Sequence, residues 1–304
     1  MLTPEEIAQR QNYIGSTDAP GVLNLSRWSS PLKVWAEKTG FVPPEDISGK
    51  LNVKLGDKME SIVAELFEEE TGKKVRRVND VIFHPQYAFI GCRLDRRIVG
   101  ENAILEIKTA SEWKKAEWKE EEIPGEYLCQ VLHQLAVTGL PKAYICVLVG
   151  NSQLIIKEIP RDEALIADIV KREVTFWNNY VVKREMPSII TKQDADTLDR
   201  LYPQASPGKE VMLGDEASQM VEVLEGLKAD IKHLEGLAEQ KTNQLKALIK
   251  EGEIGISSKH SIFWMNSKWS GLDTKALKAE HPDIYTNYYR TKPTRRFSYD
   301  KLGE

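Results

Sequence analysis

The feature that most constrains this chain is a pair of charges set inside an apolar run. Ala103-Ile104-Leu105-Glu106-Ile107-Lys108 reads as a β-strand. Strand side chains alternate between faces, so Glu106 and Lys108 share one face while Ile107 turns to the other, into the core. A charge in such a run is costly unless it is paired or bound to a metal. Two further Glu-x-Lys triplets lie close downstream, Glu112-Trp113-Lys114 and Glu117-Trp118-Lys119, in a highly charged stretch, and they read as solvated. For Glu106 and Lys108 two readings stand: an ion pair on an edge strand, or part of a site.

Around this run, strand patterns alternate with helical ones. Val81-Ile82-Phe83, Ala143 to Val149 and Leu154 to Ile159 read as further strands. Residues 57–71 read as a helix with Met59, Ile62, Val63, Leu66 and Phe67 on one stripe, and Tyr127 to Val137 and Asp162 to Val182 as others. Such alternation predicts an α/β core. Tyr202-Pro203-Gln204-Ala205-Ser206-Pro207-Gly208 reads as a linker, dividing the chain into residues 1–204 and 205–304. Beyond it, apolar residues from Met220 to Leu248 recur at spacings of three and four, lapsing at Lys241. That is a long helix with a heptad-like seam, serving either to pack on its own domain or to pair with a partner. The chain closes on a basic stretch, Arg290 to Arg296.

The composition excludes several classes. No apolar run reaches the length of a membrane helix, and the polar start MLTPEEIAQRQ is not a signal peptide, so a cytoplasmic protein is expected. Cys92, Cys129 and Cys146 are scattered and show no zinc spacing. A net charge of -4 argues against nonspecific coating of nucleic acid but permits a local basic groove. The five histidines are isolated, which argues against a histidine metal site.

Oxygen chemistry remains. Divalent-metal hydrolysis of a phosphodiester needs carboxylate ligands and a group that orients or activates water. Asp95 lies just upstream of a hairpin predicted at Val99-Gly100-Glu101-Asn102, which would return it beside Glu106, and the Ile107 carbonyl could face the metal. Glu60 borders the apolar stripe of its helix and could reach inward. Gln130 and Gln134, one turn apart, suit contacts to a phosphate or a water, or are ordinary polar helix positions.

These residues resemble the PD-(D/E)xK nuclease signature, and residues from about 10 to 185 resemble the YqaJ-type viral recombinases, relatives of phage lambda exonuclease. The blocks that carry the resemblance are Ile14-Gly15-Ser16-Thr17-Asp18-Ala19, Ser26-Arg27-Trp28-Ser29-Ser30-Pro31, Trp35 to Gly40, Gly56 to Glu60, Asp95 with Glu106-Ile107-Lys108-Thr109, Ile123-Pro124 to Gln130, and Phe176-Trp177. The resemblance implies a restriction-endonuclease-like α/β core, a mixed central sheet flanked by helices, with a C-terminal helical extension. It implies a Mg²⁺-dependent 5′→3′ exonuclease on double-stranded DNA ends, with Mn²⁺ as a substitute and two ions per site. The product would be a 3′ single strand for a RecT-like annealing protein, in phage or prophage recombination within a bacterial host. Ring-shaped homotrimers occur in such families. By position, Asp95, Glu106, the Ile107 carbonyl and Glu60 would bind metal, Lys108 would orient or activate water, and Gln130 would assist. Arg10, Ser16 and Thr17 would hold the 5′ phosphate.

The chain departs from the family pattern at Ser16-Thr17-Asp18, where Gly-Ser often precedes the Asp, and at Arg93-Leu94, where a small residue and proline often precede the metal aspartate. Arg27, Arg93, Arg96 and Arg97 are candidate contacts to the DNA backbone. The same residues also admit a PD-(D/E)xK nuclease of other polarity or endonucleolytic role in repair or restriction, and a non-catalytic DNA-end or protein-binding module. The extension is expected to mediate assembly or recruit the annealing partner.

Overall fold

The computed structural model describes residues 4–118, 122–188, 190–268, 270–291 and 295–300. Lys119 of the third Glu-x-Lys triplet and residues 292–294 of the basic stretch lie outside the described residues. The chain divides into two units, Met1–Pro203 and Gln204–Glu304.

The first unit opens with α1 (Pro4–Gln9), α2 (Ala19–Val22), α3 (Pro31–Lys38) and α4 (Leu51–Thr71). The strands β1 (Val75–Arg77), β2 (Ile82–Phe83), β3 (Gly91–Cys92), β4 (Arg96–Ile98) and β5 (Ala103–Ala110) follow. After α5 (Gly125–Thr138) come β6 (Lys142–Val149), β7 (Gln153–Pro160), α6 (Glu163–Phe176) and α7 (Ala195–Leu201). Five strands form one sheet in the order β1-β4-β5-β6-β7. Only β5 and β6 run parallel, because α5 carries the chain back across the sheet between them, as a parallel pair requires. Tight reversals join β4 to β5 and β6 to β7, while β1 is connected to β4 through the segment that carries β2 and β3. The sheet is mixed and flanked by helices, as the family resemblance implies. Gly100 lies in the β4–β5 hairpin and Gly150 in the β6–β7 hairpin, at φ 78° and 59°, where a side chain would be strained.

The alternation along β5 assigns its two faces. Ile104 packs with α5 and α6 residues such as Leu132, Leu135 and Ile166. Ala103, Leu105 and Ile107 pack with Val63 and Phe67 of α4. Glu106 and Lys108 therefore lie on the α5 side. A third cluster, with Ile14, Leu32, Trp35 and Phe176, anchors the segment before α2. There Ile14 N donates to Phe89 O at 2.8 Å and Gly91 N to Ile14 O at 3.0 Å.

Three expectations change. The helix predicted over 57–71 begins at Leu51. Its buried face is Val63, Ala64 and Phe67, and Ile62 is exposed, because one residue of helix turns a side chain about 100° away. The stretch 162–182 is α6 followed by a wider turn over Trp177–Val181. The strand at 81–83 pairs with β3 in a separate two-stranded ribbon.

The second unit holds α8 (Asp215–Ile249), a hairpin of β8 (Ile254–Ile256) and β9 (Ser261–Phe263), and the short helices α9 (Thr274–Glu280) and α10 (Pro282–Tyr288). Among the described residues no helix is long and apolar enough to cross a membrane.

Candidate active site

The β4–β5 ladder pairs Arg96 with Leu105, which sets Asp95 across from Glu106. The Asp95 Oδ2 accepts the Ile107 backbone N–H at 2.8 Å, so the predicted hairpin brings the two acids together. Glu106 is 2% exposed and held on three sides. Its Oε1 accepts from Lys108 Nζ and from Gln130 Nε2, each at 2.6 Å, and its Oε2 accepts from Gln134 Nε2 at 2.7 Å. Lys108 Nζ also lies 5.5 Å from the Tyr127 ring centroid, a cation–π distance.

The electrostatics are those of a crowded acidic pair. Burial, reinforced by the charge of Glu106, pushes the Asp95 carboxyl up to about 8, against the pull of Lys108 and the Ile107 N–H. Burial by itself would lower Lys108, but Glu106 and Asp95 outweigh it and raise it. Lys108 therefore stays charged at neutral pH. A hard divalent cation takes oxygen ligands of this type and relieves their repulsion. The donor set thus fits such an ion, and Ile107 lines the same cavity as the two acids.

Glu60 faces the same cavity, but its carboxylate is engaged by Arg96. Among the described residues no three His, Cys, Asp or Glu side chains close into a ready-made metal shell. Arg96 itself requires a correction. It is 4% exposed and also donates to the Asp95 carbonyl at 2.6 Å, so it braces the acids from within and is not placed to meet a DNA backbone. The strand alternation explains this: Arg96 falls on a buried position of β4.

The other candidates are distributed unevenly. A cavity of about 590 Å³ is lined by Asp95, Glu106, Ile107, Lys108, Glu60 and Gln130, and also by Arg10, Ser16, Thr17 and Arg93. Arg27 and Arg97 do not line it. Arg27 is paired with Glu117 at 2.7 Å, and Arg97 sits opposite Arg76 in the ladder. Arg93 reaches Glu6 at 2.5 Å and the Asn79 carbonyl at 3.0 Å.

Arg10 Nη2 donates to Thr17 Oγ1 at 2.7 Å. Asp18 organises this corner, accepting from Lys38 Nζ at 2.6 Å and the Gly15 N–H at 2.9 Å. Burial opposes the charge on Asp18, but Lys38 and Arg10 prevail and hold its carboxyl below the usual range. With Lys38 included, the corner carries two cations and one anion.

Gln134, offered beside Gln130 on their one-turn spacing but given no place by the resemblance, grips Glu106 as Gln130 does. Sequence reasoning left two contributors out of the site. Asp18 and Lys38 build the corner, with no signal in their separate positions. His133, given no role, is fully buried, with Nδ1 2.7 Å from Glu173 Oε1 and Nε2 2.9 Å from the Gly91 carbonyl, and it locks α5 in place.

Fold and site together define a restriction-endonuclease-like α/β protein of the PD-(D/E)xK type, with its acid pair and lysine on adjoining strands. Residues 7–141 match the YqaJ-like viral recombinase domain. The chain is 36% identical over 306 residues to the YqaJ protein of Bacillus subtilis (strain 168), an alignment covering 100% of this chain and 96% of that protein. The chain belongs to the YqaJ-like viral recombinase family. The alkaline exonuclease LHK-Exo of Laribacter hongkongensis has a similar fold, with a TM-score of 0.52 at 23% identity, covering 60% of this chain and 95% of its own. Its structure in complex with dAMP matches with the same TM-score and coverage at 25% identity.

Proposed function

We propose that this protein is a Mg²⁺-dependent exonuclease that enters at the ends of linear double-stranded DNA and degrades one strand 5′→3′, leaving a 3′ single strand for a RecT-like annealing protein. One observation carries this reading: a single cavity holds the Asp95–Glu106–Lys108 set together with the Arg10–Ser16–Thr17 corner. A guanidinium and hydroxyls suit a terminal phosphate dianion, so a phosphate held there presents the adjoining phosphodiester to the acids. The dAMP bound by LHK-Exo is a mononucleotide of the kind such a reaction releases.

Asp95, Glu106 and the Ile107 carbonyl would hold the ion, with Glu60 available to a second once Arg96 releases it. When bound, Mg²⁺ or Mn²⁺ supplies the Lewis acidity that polarises the scissile phosphate. Lys108 orients the attacking water and offsets the charge developing on the phosphate, from its place beside Glu106. Gln130 fixes the Glu106 carboxylate. In this reading the protein works in the bacterial cytoplasm, for a phage or prophage, and a ring-shaped homotrimer would keep it on one duplex.

The test is digestion of linear duplexes labelled at either end, with and without a 5′ phosphate, in Mg²⁺ and in EDTA. Loss of the 5′ label first, faster with the phosphate and absent in EDTA, supports the proposal. Cleavage independent of ends points to an endonuclease, and no metal-dependent cleavage overturns the nuclease reading.

A further inference from the structure

Most of the apolar seam of α8 is exposed. Met220, Leu227, Ile231, Leu234 and Leu248 are between 55% and 79% exposed, and α8 has no buried residue along its 35 positions. A stripe of this length on a largely polar helix calls for a covering surface. We infer that α8 pairs with α8 of a second copy of this chain, and that the two helices run antiparallel.

Charge and shape select this occupant and its direction. In a parallel, in-register pair Lys241 would meet its own copy in the core, and Asp230 would flank Glu235 of the partner, like charges in both places. Reversal removes both conflicts. With Ile231 level with Leu234 of the partner, Lys241 meets Leu224, along which its aliphatic stem can lie while the ammonium reaches water. Leu227 then meets Ala238, a large side chain against a small one. Lys228 comes within reach of Glu235 of the partner, and the symmetry makes that pair twice. Lys228 Nζ also donates to the Tyr299 hydroxyl at 3.1 Å, which leaves two of its three donors for the pair. Each half of every match comes from the same helix, the mark of a two-fold, self-complementary interface. Such a contact is distinct from a three-fold ring and does not depend on nuclease activity.

The experiment uses the full-length chain. Ala217→Cys and Leu248→Cys proteins, prepared separately and mixed, are oxidised. The native cysteines Cys92, Cys129 and Cys146 are buried and do not compete. An antiparallel pair cross-links the mixture but not Leu248→Cys alone, whose two thiols would lie roughly 45 Å apart. In sedimentation equilibrium, Lys228→Glu should weaken association at least several-fold, and the Lys228→Glu/Glu235→Lys double variant should restore it, with helix content unchanged by circular dichroism. Cross-linking of Leu248→Cys to itself, association indifferent to Leu227→Glu/Leu234→Glu, or a seam covered instead by the nuclease unit or an annealing protein would overturn the proposal.

Discussion

At the level of single residues the site turns on how much negative charge the cavity tolerates. Asp95→Ala and Lys108→Ala should each reduce DNA cleavage by at least a hundredfold with the circular dichroism spectrum unchanged, and an active variant of either would remove that residue from the chemistry. Asp95 also sets a pH dependence. Its folded pKa, about 8, stands above its unfolded value of about 3.9. Between those limits the folded state holds the proton more tightly, so metal-free stability falls as pH rises from about 4 to about 8 and is level beyond. Asp95→Asn should flatten that slope and exceed wild type at pH 8 by roughly 1–3 kcal/mol, read from urea unfolding in EDTA. Equal slopes would show that Asp95 ionises without cost. Gln134 makes a different prediction. Its Nε2 holds Glu106 at 2.7 Å and reaches the Arg93 carbonyl at 3.5 Å, while its Oε1 is buried with no partner among the described residues, so the amide is oriented through its nitrogen, chiefly by the bond to Glu106. Replacing a group that orients a metal ligand commonly weakens the metal about 10–100-fold. Gln134→Leu should weaken Mn²⁺ binding within that range by calorimetry, and unaltered affinity would reduce Gln134 to packing.

At the level of elements, what could be read from the sequence follows how local the information is. The Glu106/Lys108 face was legible because strand alternation depends on adjacent residues alone, and the return of Asp95 followed from a four-residue hairpin. Arg96 was misread because an arginine in a short charged segment looks like surface. Only the pairing of β4 between β1 and β5, together with Glu60 from α4, makes it interior, and none of those neighbours is local. The start of α4 was missed because its first turn carries no buried residue, so no apolar stripe marks it.

His133 gave no signal for the same reason: its partner Glu173 lies on another helix. Burial opposes protonation of His133, yet Glu173 outweighs it and raises the imidazole pKa above its ordinary value. The stability from that pair is therefore present below the unfolded histidine pKa and is lost as pH rises through the higher folded one. His133→Ala would leave Glu173 buried without its partner, at a cost of about 3–5 kcal/mol for breaking a buried pair. Thermal unfolding should show the loss, and a shift of only a degree or two would mean that Glu173 takes up water or a proton instead.

At the level of the whole molecule, the arrangement of the core makes its own prediction. Every residue of the three buried clusters and every strand of the five-stranded sheet falls within residues 1–203, while α8 contributes no buried side chain. A protein ending at Pro203 should therefore keep a cooperative unfolding transition, since the apolar burial that drives folding is retained. It should also keep end-dependent cleavage of short duplexes, because all the cavity-lining residues lie in that unit. What it should lose is whatever α8 holds together, so its sedimentation should no longer respond to concentration as that of the full chain does. The acidic balance of the intact protein, -4, sharpens the expectation for DNA. With the chain's 42 cations outnumbered by 46 anions and Arg10, Arg93 and Lys108 the cations lining the cavity, binding should come from a small number of phosphate contacts, so affinity should fall only gently with added salt. Measured on the same end-labelled duplex, the full-length and truncated proteins should share that shallow slope. A steeper slope for the full chain would place a second set of phosphate contacts in residues 204–304 and would give the extension a direct part in holding DNA.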